Sequence, residues 1–211
     1  MKRFLVGLVV AATAAVGFGG VSTLADMQAN WQLSSGSAQV GSGLAGFDFS
    51  VPDKARILYN SKDPALIGNQ LGSTMTATFT VSGVSNTAAF TYSGEGTTSN
   101  PCGTPATVRL AFESIPPGTQ FAFTNYWWAD APTASYVLAN GTVTISAVVD
   151  PVLGQWSDWN GQPSAANAAA FDAAASDMTL VGLSFGGGCF FENGVGTTDG
   201  SGTFTLTSFS S

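Results

Sequence analysis

The chain has no histidine, which removes the commonest general base near neutral pH, the Ser-His-Asp triad, and the commonest ligand for zinc, copper and iron. Any catalysis has to run on carboxylates, tyrosine or lysine. Charge is scarce too: only 9% of residues are charged, and the formal net charge is −7. Lys2 and Arg3 fall in an N-terminal leader, so the remaining cations are Lys54, Arg56, Lys62 and Arg109. Four dispersed cations cannot displace counterions from a nucleic acid or hold an anionic bilayer. Cysteine is limited to Cys102 and Cys189, and no stretch beyond the leader offers the roughly 20 apolar residues a membrane span needs.

In place of charge the chain carries Thr, Ser, Gly and Ala, and 45% of its residues are hydrophobic. This is the profile of an extracellular all-β protein, in which hydroxyl residues occupy the exposed strand positions. Met1-Lys2-Arg3 is a positive n-region, residues 4–20 are apolar, and Thr23-Leu24-Ala25 offers small residues for cleavage. Residues 1–25 therefore read as a secretory signal peptide, with an anchored N-terminal helix as the alternative. Residues 26–211 are expected to form a single domain, secreted to the extracellular space or periplasm, without stable membrane insertion. In an oxidising compartment two lone cysteines predict a Cys102–Cys189 disulfide rather than a metal site or a reactive thiol.

Alternation is clearest over 74–81, where threonine takes every second place and Met75, Ala77, Phe79 and Val81 form the buried face. Short strand candidates precede it at Trp31, Val40, Phe47 and Ile57. Others follow at 89–92, 107–112 and 120–128. Asn140-Gly141 predicts a hairpin between 136–138 and 142–149. Residues 178–209 read as a closing hairpin, with Val181, Leu183, Phe185, Phe204 and Leu206 in the core and Gly186, Gly187 and Gly188 at a bulge or close backbone approach. The one helix candidate covers 164–176. The fold class is all-β, an antiparallel β-sandwich of the jelly-roll kind.

The region 140–209 contains NGTVTISAVVDP, GQWSDWNGQ, FDAAASDMTLVGLSFGGGCFFENGV and GSGTFTLTSF. It resembles a group of uncharacterised secreted bacterial proteins, several with C-terminal sorting tails, and within them the back half of jelly-roll modules of the carbohydrate-binding, galactose-binding-like type. The resemblance implies a glycan-binding role. It transfers no active residues, and this chain is expected to depart from the sorted members in lacking their tail, since Ser211 follows almost directly on the last strand candidate. Modules of that type often hold a structural calcium. Asp48 with Asp53, or Asp199 among glycines, are the oxygen-rich loops that suit it, with no site assigned.

Sugar rings stack their C–H faces on aromatic rings while their hydroxyls bond to Asp, Asn and Glu. The candidate platforms are Trp127, Trp128, Trp156, Trp159 and Phe191. Trp156 and Trp159 are the pair expected to be exposed, and Asp158, Asn160 and Glu192 are the candidate hydroxyl partners. The expected function is non-catalytic binding of a polysaccharide or cell-surface glycan, neutral rather than anionic because the protein is itself acidic. The alternatives are a structural cell-surface or matrix protein, and a glycoside hydrolase or lyase using two of Glu95, Glu113, Asp130, Asp150, Asp158 and Glu192.

Overall fold

The computed structural model describes residues 30–34, 45–49 and 55–211. The leader over 1–25, the strand candidate at Val40 and the calcium candidate Asp53 lie outside the described residues. Two antiparallel sheets pack face to face, and β5 (Phe90–Tyr92) pairs with β12 (Val195–Thr197) in a separate two-stranded ribbon. The smaller has the order β2 (Ala45–Asp48), β13 (Thr203–Ser210), β4 (Thr74–Ser82), β9 (Gly141–Val148). The larger begins with β1 (Trp31–Ser34), β3 (Ile57–Asn60), β11 (Leu180–Gly186) and β6 (Thr107–Glu113). It continues through β7 (Tyr126–Ala129) to β10 (Trp156–Asp158). β8 (Ser135–Val137) pairs with the opposite end of β6, so β7 and β8 act as one interrupted strand. The chain changes sheet between β1 and β2, β2 and β3, β3 and β4, β4 and β6, β8 and β9, β9 and β10, and β11 and β13. That is the path of a jelly roll.

The alternation in the sequence becomes the two faces of each sheet. Met75, Ala77, Phe79 and Val81 point into the sandwich, while Thr78 and Thr80 face solvent and hydrogen-bond Thr144 and Thr142 across the strand pair. Phe204 is the centre of the main core. Its ring lies 4.9 Å from Phe79, 5.0 Å from Phe185 and 5.4 Å from Phe47. A second aromatic group closes the end of the sandwich, where the helix α1 (Ala168–Ala175), preceded by a 3-10 turn (Ser164–Asn167), packs Phe171 onto Phe112, Trp127 and Trp156.

Two expected hairpins are absent. β11 and β13 do not pair; they sit in opposite sheets and meet across the core through Phe185 and Phe204. Both strands carry an apolar face, and a sandwich buries two such faces by opposing them rather than by placing them side by side. Asn140-Gly141 likewise joins the two sheets, because β8 pairs with β6 and β9 pairs with β4. The Asn140 side chain instead accepts a hydrogen bond from the Val84 N–H and donates one to the Val84 carbonyl. It fastens the crossover to the end of β4.

Candidate functional site

The outer face of the smaller sheet is a carpet of threonine, whereas the outer face of the larger sheet carries rings and carboxylates. On β7, Trp127 points inward and Trp128 outward, as neighbours on a strand must. On β6, Val108, Leu110 and Phe112 are inward, so Arg109, Ala111 and Glu113 are outward. β11 places Gly182 and Ser184 on the same outer face between β3 and β6. A side chain at Gly182 would run into the backbone of Leu58 and Tyr59.

After β11 the chain folds back over this face. Gly186, Gly187 and Gly188 permit the return. A Cβ on Gly186 would lie 2.6 Å from the Phe190 carbonyl oxygen, one on Gly187 would enter the Tyr92 ring, and one on Gly188 would meet the Asn100 carboxamide. Gly188 also has a positive φ of 67°. The Cys102–Cys189 disulfide ties this loop to the one that follows β5 (Phe90–Tyr92). Asn100 reinforces the tie, accepting from the Cys189 N–H at 2.7 Å and donating to the Gly187 carbonyl at 3.3 Å. Asn193 donates to the Ser93 carbonyl at 2.7 Å and accepts from the Gly187 N–H at 2.9 Å. The expectation of a close backbone approach beside the disulfide is met.

The folded-back loop, the 93–100 loop and the turn after β10 enclose a cavity of about 580 Å³. Trp128, Trp159, Asn160, Phe191 and Glu192 line it, together with Arg56, Asn100 and Asn193. Trp128 is the floor: its Nε1–H donates to the Ser184 hydroxyl at 3.0 Å, and Ser184 in turn donates to the Phe191 carbonyl at 2.5 Å. Only 3% of Trp128 is exposed, against 48% of Trp159, whose ring centre is 5.4 Å away. Outside the cavity the aromatic surface continues. Tyr126 stacks parallel to Trp128, and Phe121 contacts both Tyr126 and Trp159.

Three expected site residues lie elsewhere. Trp127 and Trp156 are both 0% exposed, packed on Phe171 in the core, with indole N–H groups donating to the carbonyls of Thr124 and Val148. Neither can meet a ligand. The exposure expected of Trp156 fails because its loop is in fact an edge strand, β10, whose register on β7 turns that ring inward. Asp158 is buried, and one carboxylate oxygen accepts from the N–H groups of Asn160 and Gln162, both at 2.9 Å. It shapes the turn that displays Trp159 and Asn160.

The electrostatics of this face are unusual. Burial pushes the Glu192 carboxyl up to about 7 from 4.5, with Arg56 opposing the rise. Burial also lifts Glu113 to about 7, and the Glu192 charge adds to it. Tyr126 is raised by burial and by both carboxylates. The Glu192 Oε2 atom is shielded from solvent without a hydrogen-bond partner among the described residues. Nearby, Arg109 pairs with Asp130 at 3.0 Å and lies 4.0 Å from the centre of the Phe191 ring. Burial nevertheless lowers the Arg109 pKa and raises that of Asp130.

Sequence reasoning did not single out Arg56, Asn100 or Asn193 as site residues. A signal existed for the asparagines, since residues flanking a disulfide share the wall it builds. Among the described residues no three His, Cys, Asp or Glu side chains gather where a metal could be held. The Asp48 carboxylate accepts from the Thr203 hydroxyl and that of Asp199 from the Ser201 N–H.

Fold and site together define a jelly-roll protein with an aromatic, acid-bearing cavity on the outer face of its larger sheet. Comparison with known protein families, with curated proteins and with solved structures finds no match to the chain.

Proposed function

We propose that the protein acts outside the cytoplasm as a non-catalytic glycan-binding sandwich, with this cavity as its ligand site. The observation that carries the reading is the half-exposed Trp159 ring set beside Trp128, Asn160 and Glu192 in one cavity. An apolar plane bordered by hydrogen-bonding side chains matches the two kinds of surface a sugar ring presents. The signal-like leader, the disulfide, and the resemblance of 140–209 to carbohydrate-binding modules support the same reading. No helix among the described residues is long and apolar enough to cross a membrane.

Affinity electrophoresis through gels holding different polysaccharides, followed by calorimetry on the retarding glycan, tests it. Trp159→Ala is expected to weaken binding about tenfold or more, roughly 1.4 kcal/mol, with the fold intact. An unchanged affinity in that variant removes the cavity as the site. No retardation by any glycan, together with self-association, moves the protein to the structural or matrix reading. A second reading, glycan cleavage by the Glu113–Glu192 pair, is favoured by the raised carboxyl of Glu113, which the Glu192 charge helps to lift. Glu113 lies off the cavity wall, which favours binding. Reducing-end release that is lost in Glu192→Gln would establish cleavage instead.

A further inference from the structure

We infer that the cavity selects a glycan bearing free amino groups, with one ammonium held between the Glu192 carboxylate and the exposed indole face of Trp159. The inference rests on the glycan reading of the site and names the class of sugar it takes.

Three features of the cavity lead to it. First, an ammonium is attracted both by a carboxylate and by the face of an indole ring, and the half-exposed Trp159 and Glu192 border the same space, with Trp128 buried beneath. Phe191 is less available for this, because Arg109 already stands 4.0 Å from its centre. Second, Glu192 Oε2 is a shielded acceptor with no donor among the described residues. A buried carboxylate oxygen without a donor is costly, and an N⁺–H from the ligand forms the stronger, charge-assisted bond.

Third, the charges facing Glu192 do not balance. Arg109 is engaged by Asp130. Arg56 lines the cavity and attracts Glu192, but Glu113 adds a second carboxylate and Tyr126 is neutral. With both glutamates ionised this face is one positive charge short. A hydroxyl supplies a donor without that charge, and a uronic acid adds a third carboxylate. An ammonium supplies both donor and charge, while Asn160, exposed beside Trp159, is left for the ring hydroxyls. Because burial keeps the two carboxyls partly protonated near neutrality, binding of the cation should expel a proton.

The experiment is isothermal calorimetry of the full chain against three oligosaccharides of matched length: β-1,4-linked glucosamine with free amines, its N-acetylated form, and the corresponding glucose oligomer. The expected result is at least tenfold tighter binding of the free amine than of the other two near pH 7. Proton release should appear as a dependence of the heat on the ionisation enthalpy of the buffer. Glu192→Gln should bring the affinity for the free amine down to that for the uncharged oligomers and abolish the proton release. Trp159→Ala should weaken all three. Equal affinities for the three oligomers, unchanged in Glu192→Gln, overturn the amine preference and leave the glycan reading standing. Amine binding that survives Trp159→Ala and vanishes in salt overturns it also, as general attraction to an acidic protein. Absence of binding by every oligomer, with no glycan retarding the protein in gels, removes both readings.

Discussion

A tryptophan in this sandwich is defined by the face its strand gives it. Trp127 and Trp128 are adjacent, yet one packs on Phe171 in the core and the other forms the cavity floor. Trp156 and Trp159, three residues apart, divide the same way because β10 ends between them. Glu113 and Glu192 show a residue-scale consequence of burial. Their folded-state values near 7 lie above the unfolded value of 4.5, so the folded chain holds protons that the unfolded chain gives up. That contribution to stability is complete below the unfolded pKa and is lost as pH rises through about 7. Urea denaturation is expected to show the protein more stable at about pH 5 than at about pH 8, by about 3 kcal/mol for one shift of this size. Glu113→Gln should flatten the profile. A stability that climbs over this range would contradict the burial of the pair.

At the scale of elements, β11 and the loop after it connect fold to site. Val181, Leu183 and Phe185 anchor the strand in the core, Ser184 holds the Trp128 floor, and the three glycines return the chain over it. Gly187→Ala would drive a methyl group into the Tyr92 ring, which is itself buried. The expected cost is about 1–3 kcal/mol of stability from overpacking. Weaker ligand binding should accompany it, because the same loop carries Phe191 and Glu192 of the cavity wall. Thermal melting and calorimetry on the one variant measure both, and a stability equal to wild type would show that the close approach is not tight. The strand faces of β4, β6 and β11 were legible in the sequence because alternation is local. The partner of each strand was not. The Asn140-Gly141 signal favoured a tight hairpin, but the β8 backbone bonds to β6 and the β9 backbone to β4, and those nonlocal ladders outweigh a two-residue preference.

For the whole molecule, the disulfide closes a long stretch of chain, with its cysteines 87 residues apart. Removing it in Cys102→Ser with Cys189→Ser is expected to lower unfolding free energy by about 4–5 kcal/mol in the chain-entropy account. It should also loosen the wall that Asn100 and Asn193 build, so ligand affinity falls with stability. An unchanged denaturation midpoint would show that the hydrogen bonds around Asn100 suffice alone. The two outer faces of the sandwich differ for a reason visible at this scale. The smaller sheet presents paired threonines, whereas the larger has a loop folded across it, and the enclosed space is the cavity.

The sequence by itself determined the all-β class, the inward residues of the long strands, and the pairing of its two cysteines. Each of these follows from composition or from a period-two pattern that any strand must obey. Tertiary structure decided which strands face each other, which tryptophans a ligand can reach, and that Glu113 of β6 influences Glu192 of a loop 79 positions later. Those outcomes depend on how two sheets oppose their apolar faces and where a glycine-rich loop comes to rest. No local pattern encodes them, because the groups involved meet only once the sandwich has closed.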